Sequence, residues 1–326
     1  MQNTSLPFHP QPRMARTSAF IGLGVWLVLL AVSLPVAAGG SVFIERLVML
    51  APLVIVPLGL SLVRPRDLHG LHTWPYRLAL ITQPIGALAA TVALLFPAGR
   101  RAGGFALVWF GVTCVIALNG ISRFVLRGSI RSEELAISFG LMFVSVGGAW
   151  FWMSRQGFHP LGFDEPIVLL TGMHFHYTGF AAPILTGLTG RAMRESGVSA
   201  GLLYRLTVGA LLIGTPIVAA GITIPIPLLA LAGAFMISAS LCLLAGLVIG
   251  RIVPMVPTRL AGVFLLISSG SAVVGMILAF LYAYSQVAQK VILTIPQMAY
   301  THGILNAIGF ALCGLMGWAL VRSRED

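Results

Sequence analysis

Long apolar stretches separated by short polar connections run through the whole chain. Ten of them are long enough to cross about 30 Å of hydrocarbon as helices. Helices are predicted because each one satisfies its own backbone hydrogen bonds inside a bilayer. The pattern therefore predicts an all-α polytopic membrane helix bundle, a single transmembrane domain over residues 1–326. Its predicted helices cover residues 18–38, 42–63, 78–97, 104–125, 134–153, 165–188, 201–221, 226–249, 260–284 and 296–320.

The first span has two interpretations. It follows a polar tail, residues 1–17, and its last residues, Val36-Ala37-Ala38, resemble a signal-peptidase site. Its length also suits a membrane crossing. We predict an uncleaved first helix and keep a cleaved signal peptide as the alternative.

Basic residues in the connections predict the orientation of the bundle. With a cytoplasmic N-terminus, most of the 20 Lys and Arg residues fall on the inner side. The exceptions on the outer side are Arg46, Arg100, Arg101, Arg155 and Lys290. Positive charge concentrates on the cytoplasmic side of membrane proteins. We therefore predict an N-in/C-in topology in a bacterial cytoplasmic membrane.

Composition agrees with a membrane environment. The chain is 58% hydrophobic and 9% charged, whereas soluble domains carry about 25% charged residues. The net charge of +11 is spread over short loops, which favours lipid headgroups as partners and argues against nucleic acid. Cys114, Cys242 and Cys313 lie inside apolar spans without metal or redox spacing. We interpret them as packing residues.

The sixth span carries the most unusual polar groups. Its segment Thr171–Gly190 places His174, His176 and Tyr177 in the middle of an apolar stretch. An ionisable group at mid-membrane depth costs several kcal/mol unless it is sheltered or hydrated, and by default it marks a functional site. We therefore take this segment as the centre of the candidate site.

Other polar groups fall at a similar depth. In the predicted topology His302 and Asn306 lie in the outer half or middle of the tenth span, and Glu45 lies near the outer end of the second. Asn119, nearer the inner end of the fourth span, is the exception. Groups at one depth on separate helices suggest one shared chamber. Small residues continue the tenth-span stripe at helical spacing through Gly309 and Cys313, and we expect the sixth span to pack against it.

Helix geometry limits which histidines can meet. His174 and His176 are about 200° apart around a regular helix, so they cannot bind one ion without distortion. Gly172, Gly179 and Pro183 make distortion plausible. We expect one histidine to face the chamber and the other to bond to a neighbouring helix. Thr171 and Thr178 share the face of His174 in a regular helix.

Ordinary structural roles compete with the functional ones. An intramembrane histidine can simply bond to a neighbouring helix, and Glu45 can reach the interface or pair with Arg46. Glu133 and Glu134 are predicted to form exposed pairs with nearby arginines at a helix start. The tryptophans near the predicted interfaces are interpreted as an aromatic belt without chemistry. They are Trp74, Trp109, Trp150, Trp152 and Trp318.

Two polar motifs carry a family resemblance. Pro160–Gly187 contains a Pro-Leu-Gly-Phe entry and a His-Phe-His-Tyr centre, and Thr301–Trp318 contains His-Gly-x-x-Asn-Ala-x-Gly-Phe. In these segments the chain resembles the YndJ-like family of bacterial integral membrane proteins. The resemblance implies a transporter-type membrane protein without supplying a substrate. It marks as family features His174, His176, Tyr177, His302 and Asn306.

Three functions follow from these observations. The first is a transporter for a small solute, with histidine in place of the usual carboxylate as proton carrier. The second is an intramembrane enzyme acting on a lipid-like or terpenoid substrate by acid–base chemistry. The third is a non-catalytic partner or sensor. The oligomeric state and the cofactor, if there is one, stay open.

The residue assignments are as follows. If the protein is an enzyme, the predicted catalytic set is His174, His176, Tyr177, His302 and Glu45. The predicted substrate-binding set is Asn306, Thr178, Thr171 and Asn119. In a metal- or haem-assisted version of the enzyme, the ligands are His174, His176 and His302.

Overall fold

The computed structural model describes residues 12–33, 40–64, 73–127, 131–199 and 201–322. These ranges contain ten long helices and no strand. The predicted all-α architecture is therefore confirmed. The possible cleavage site at Val36-Ala37-Ala38 lies outside the described residues.

Seven helices are bounded as follows. They are α1 (Pro12–Ser33), α3 (Trp74–Leu95), α4 (Arg100–Leu126), α5 (Ser132–Gln156), α7 (Gly201–Thr223), α8 (Pro227–Met255) and α9 (Arg259–Ala288).

Helix α8 contains a π-helical turn, Val248–Ile252, near its end, and three further helices also change their winding along their length. Helix α2 (40–62) consists of Gly40–Leu50, a π-helical turn Ala51–Ile55, and Val56–Leu62. Helix α6 (167–195) consists of Ile167–His174, a π-helical turn Phe175–Ala181, and Ala182–Glu195. Helix α10 (295–322) contains Ile295–Met298, π-helical turns Ala299–Gly303 and Leu305–Leu312, and Cys313–Arg322.

Within the described residues, nine of these helices are long and apolar enough to cross a membrane. The tenth is α6, whose histidine, threonine and glycine residues lower its hydropathy. A long segment of α6 is surrounded by protein, because residues 179–191 are buried without interruption. Helix α6 can carry polar groups because neighbouring helices, rather than lipid, cover them.

Helices α2 and α6 form the centre of the bundle. Residues 47–63 of α2 are also continuously buried. The outer helices α7, α8 and α9 instead expose large apolar side chains such as Leu202, Phe235 and Ile277. This is the arrangement expected where lipid surrounds the bundle, since apolar side chains cost nothing against hydrocarbon.

Two contacts join the central helices. The buried Tyr177 hydroxyl of α6 donates to the Leu47 carbonyl of α2 at 2.7 Å. Farther along, the Phe180 ring lies against Gly59, where a Cβ atom would come within 2.8 Å of the ring carbons. Tyr177 therefore connects the two innermost helices. The predicted catalytic role of Tyr177 finds no support in this geometry, because its hydroxyl is already committed to a backbone oxygen.

The Tyr177–Leu47 hydrogen bond should contribute measurably to stability. One buried hydrogen bond is worth about 1 kcal/mol, so Tyr177→Phe should lower the thermal midpoint in detergent by roughly 2 °C. The matched control is Tyr284→Phe, because the Tyr284 side chain is 49% exposed and its substitution should leave the midpoint unchanged. Equal midpoints for wild type and Tyr177→Phe would contradict this role.

Candidate functional site

Both helices that carry the candidate histidines widen where those histidines lie. The π-helical turn of α6 begins directly after His174, and the two π-helical turns of α10 contain His302 and Asn306. Pro183 contributes to the widening of α6, because it has no N–H for the Gly179 carbonyl. The expected distortion of the sixth span is thus confirmed. Isolated π-helical turns occur frequently at functional sites.

His174 and His302 come together between α6 and α10. Their ring centroids are 6.2 Å apart and their planes differ by 24°. The His302 side chain is partly buried, whereas His174 lies at an exposed position of α6. Two of the three predicted histidines therefore meet, as side chains of two different helices.

The hydrogen bonds of His302 define its protonation. Its Nδ1 lies 2.8 Å from the Gly275 carbonyl of α9, and a carbonyl can only accept, so Nδ1 carries the proton. Its Nε2 lies 2.8 Å from the Asn306 side-chain nitrogen, which donates to it. Asn306 is buried one helical turn farther along α10. His302 is thus a neutral imidazole held by α9 and by its own helix.

His174 differs from His302 at its Nε2 atom. Its Nδ1 lies 2.8 Å from the Leu170 carbonyl and must donate to it. Among the described residues, no donor bonds to its Nε2. That nitrogen presents a lone pair at an exposed position, next to the His302 ring. His174 is therefore the member of the pair that can accept a proton or bond to a bound molecule.

His176 faces the opposite side of α6. Its Nδ1 donates to the Gly172 carbonyl at 2.7 Å, and its Nε2 accepts from the indole N–H of Trp109 in α4 at 3.1 Å. The two rings stack with centroids 5.9 Å apart. At Gly147 of α5 a Cβ atom would come within 2.7 Å of the ring. This histidine is a buried structural residue, and Trp109, predicted for an interfacial belt, is its partner in the core.

The described structure does not bring the three predicted metal ligands together. His176 is separated from the pair and both of its nitrogens are occupied. In the described part of the chain, no three His, Cys, Asp or Glu side chains are grouped to hold a metal ion. His174 and His302 alone fall short of the three or four protein ligands that zinc sites use.

The predicted polar neighbours of the site have separate roles. The Thr171 hydroxyl donates to the Ile167 carbonyl of its own helix at 2.8 Å, and Thr178 is half-buried within the π-helical turn. Asn119 is buried in α4, and its side-chain nitrogen has no partner in the described ranges. Of the predicted substrate-binding residues, only Asn306 contacts the histidine pair.

Glu45 is bound by an arginine other than the one expected. Its carboxylate lies 3.8 Å from the Arg155 guanidinium, which comes from the end of α5. Arg46, the predicted partner, instead donates to the Ser33 hydroxyl at 2.7 Å. The Glu45–Arg155 pair joins α2 and α5 at the outer end of the bundle. Glu45 is therefore an ion-pair residue, and no contact links it to the histidines in the described structure.

The polar stripe of α10 packs mainly against α9, whereas the expected contact with α6 is made by the His302–His174 pair. Gly309 allows this approach, because a Cβ atom there would come within 2.2 Å of the Ser271 hydroxyl of α9. Farther inward, Ser268 of α9 donates to the Phe310 carbonyl at 2.8 Å. Hydroxyl groups thus continue inward from the histidine pair along the α9–α10 contact.

A small cavity lies at the inner end of this contact. Its volume is about 20 Å³ and its polar lining comes from Thr189, Ser268 and Ser269. The remaining lining is apolar and comes from α6, α8, α9 and α10. A space of this size holds about one water molecule where two or more polar partners are present.

A second polar cluster lies at the end of the bundle predicted to be cytoplasmic, which we call the inner end. Glu134 of α5 is buried there and binds Arg123 of α4 and Arg191 of α6. The prediction of an exposed pair at this helix start is wrong, because Glu133 and Glu134 are both buried. Arg123 could have indicated this buried cluster from the sequence, since a charged residue inside a predicted span requires a partner.

Comparison with known proteins agrees with this architecture. The family described as YndJ-like protein matches residues 46–310. The chain is also 34% identical over 239 residues to the "Uncharacterized membrane protein YndJ" of Bacillus subtilis (strain 168). That alignment covers 73% of this chain and 41% of the relative, so the chain spans about two-fifths of the relative's length. No solved structure matches.

The family match includes His174 and His302, all of α6, most of α2 and the whole inner cluster. Together with nine apolar helices that can span a membrane, it describes a multi-pass protein of the cell membrane. The chain belongs to the YndJ-like protein family.

Proposed function

We propose that this protein is a proton-linked transporter of a small solute, in which His174 and His302 carry the proton. The observation that supports this most directly is the contact between the two rings, 6.2 Å apart, where both of their helices are widened. Histidine titrates at about pH 6.5, so modest changes in surroundings can load or release its proton near neutral pH.

The pair is suited to hold one proton at a time. Both Nδ1 atoms donate to backbone carbonyls, so a further proton must enter at an Nε2 atom. A positive charge on one ring raises the free energy of charging the other, because the rings are close and poorly screened by solvent. The pair therefore takes up one proton at a time. The movement of that proton can then be coupled to the movement of one solute molecule.

A direction for the proton follows from the polar groups around the pair. His174 lies at an exposed position of α6, while the buried Asn306 side chain donates to His302 Nε2 at 2.8 Å. Hydroxyl groups of α9 and the cavity lined by Thr189 continue toward the inner end. This continuity favours a carrier over an enzyme, because a carrier requires polar groups on both sides of its binding site.

Proton movement should depend on the pair when solutes are supplied. Liposomes containing the purified protein and an internal pH dye would be diluted into the small-molecule fraction of a bacterial extract. Wild type should give solute-dependent acidification, and His174→Gln and His302→Gln should each slow it at least about tenfold, because proton transfer by a positioned group contributes large factors.

His159→Gln is the matched control, because His159 is an exposed outer-loop histidine paired with Asp164. It should retain the wild-type rate. His176→Gln tests whether His176 has a structural role. Loss of its hydrogen bond with Trp109 should lower the thermal midpoint, whereas the initial rate of acidification per folded molecule should change little. Wild-type liposomes that show no acidification in any extract fraction would contradict the carrier proposal.

One observation favours an intramembrane enzyme as the second candidate. The open Nε2 of His174 lies at an exposed position of the helix bundle, where a lipid-like molecule could reach it sideways from the bilayer. His174 would then act as general base, and Asn306 would hold His302 in position beside it.

The enzyme candidate predicts a change in lipids rather than in pH. Purified protein in detergent would be incubated with a total bacterial lipid extract and the products compared by mass spectrometry. A product formed by wild type and His159→Gln but absent with His174→Gln would favour the enzyme. An unchanged lipid profile in all three samples would eliminate it.

A further inference from the structure

The inner end of the bundle concentrates positive charge around one carboxylate. Glu134 accepts from Arg191 through both of its oxygens, at 2.6 and 2.8 Å. One of these oxygens also accepts from Arg123 at 3.1 Å and from Arg127. Three guanidinium groups from α4, from the residue after α4, and from α6 thus share a single acidic partner.

Part of this donor capacity is unused. The Arg123 and Arg191 side chains are 0% exposed. Within the described residues, Arg123 Nε and Arg191 Nη1 have no acceptor, although Arg123 Nη1 donates to the Val63 carbonyl at 2.5 Å. A buried charged donor without an acceptor is costly. A further anion would satisfy it.

The nearby acidic residue does not supply that anion. Glu133 is paired with Arg194, whose Nε lies 3.2 Å from its carboxylate. Arginine stays protonated in proteins, so the buried guanidinium groups of Arg123 and Arg191 carry two positive charges, against the one negative charge of Glu134. Such a surplus is stable in a poorly solvated place only with a counter-ion.

A cavity gives access to the cluster. It has a volume of about 10 Å³ and its lining includes Arg123, Arg127, Arg131, Glu134 and Ser138. Arg123 and Glu134 are buried, whereas Arg131 is exposed, so the cavity runs from the protein interior to its surface. Its volume is about that of one oxygen-sized group, so the rest of a larger anion would have to remain at the surface.

We infer that this cavity holds one oxygen of a phosphate group, with Arg123 at its base and Arg131 at its mouth. Guanidinium groups bind phosphate oxygens by paired, charge-assisted hydrogen bonds. The phosphate can belong to a phospholipid or be free inorganic phosphate, and both present the same oxygens. This site is separate from the histidine pair and does not depend on the proposed transport.

The surroundings favour a phospholipid as the source. The last turn of α4 exposes Phe124, Val125 and Leu126, with Val125 69% exposed. This apolar surface adjoins Arg127 and lies where acyl chains would run beside a bound headgroup. Basic pockets between helices on the cytoplasmic side of membrane proteins bind anionic headgroups in this way.

The experiment measures binding and thermal stabilisation of the full chain in detergent. The probes are phosphatidylglycerol, phosphatidylcholine and inorganic phosphate, with native mass spectrometry for bound lipid. Phosphatidylglycerol should raise the unfolding midpoint and remain bound, and phosphatidylcholine should have a smaller effect. An equal effect of inorganic phosphate at the same concentration would support the site and identify free phosphate as its ligand.

Arg131→Gln is the first variant, because its exposed side chain can be changed without disturbing the core. It should weaken phosphatidylglycerol binding about tenfold. Arg101→Gln is the matched control, since Arg101 is an exposed arginine at the opposite end of α4 and should bind like wild type. Arg123→Lys keeps the buried charge but removes the forked donor, and should weaken binding further than Arg131→Gln.

Two results would overturn the inference. The first is the same response to all three probes in wild type, Arg131→Gln and Arg101→Gln. The second is phosphatidylglycerol binding that both Arg131→Gln and Arg123→Lys leave at the wild-type level.

Discussion

The structure depends on the high free-energy cost of leaving a polar group without a partner in hydrocarbon. Three intramembrane polar side chains near the two central helices show how that cost is met. Tyr177 uses a backbone carbonyl of α2, His176 uses an indole of α4, and Glu134 uses guanidinium groups from two neighbouring helices. These contacts fix which helices surround α6, because each requires a particular neighbour at a particular depth.

Against that background, the groups with remaining hydrogen-bonding capacity stand out. The Nε2 of His174 and the Nε of Arg123 belong to residues whose other polar atoms are already bound. The two lie toward opposite ends of the bundle and differ in chemistry. The imidazole can gain or lose a proton, whereas the guanidinium keeps its charge and attracts an anion. The molecule thus separates a site suited to a moving proton from one suited to a stationary charge.

The sequence predicted the helices well and the contacts only in part. Apolar length determines a membrane helix, so the ten spans and their approximate ends followed from hydropathy. The division between His174 and His176 also followed, because two residues in a helix point to nearly opposite sides. Which of them would meet His302 did not follow, since that depends on how α6 is rotated against its neighbours. Trp109 shows the same limit, because depth alone cannot distinguish an interfacial indole from one bonded to a buried histidine.

The partner of the α10 stripe was missed for a related reason. Small residues permit close approach without specifying the approaching helix, and Ser271 of α9 occupies the space above Gly309. At the inner end, Arg191 lies shortly beyond residue 188, the last residue of the predicted sixth span, where an arginine ordinarily reaches water. Only the packing of α4, α5 and α6 shows that it is enclosed.

The wide turn in α6 has a mechanical consequence. A π-helical turn contains one residue more than an α-helical turn, and each α-helical residue corresponds to a rotation of about 100°. Conversion of Phe175–Ala181 to regular winding would therefore twist the outer segment of α6 relative to its enclosed inner segment. His174 would move away from His302 while residues 182–191 stayed in place, so rotation of one segment of α6 could separate the two imidazole rings.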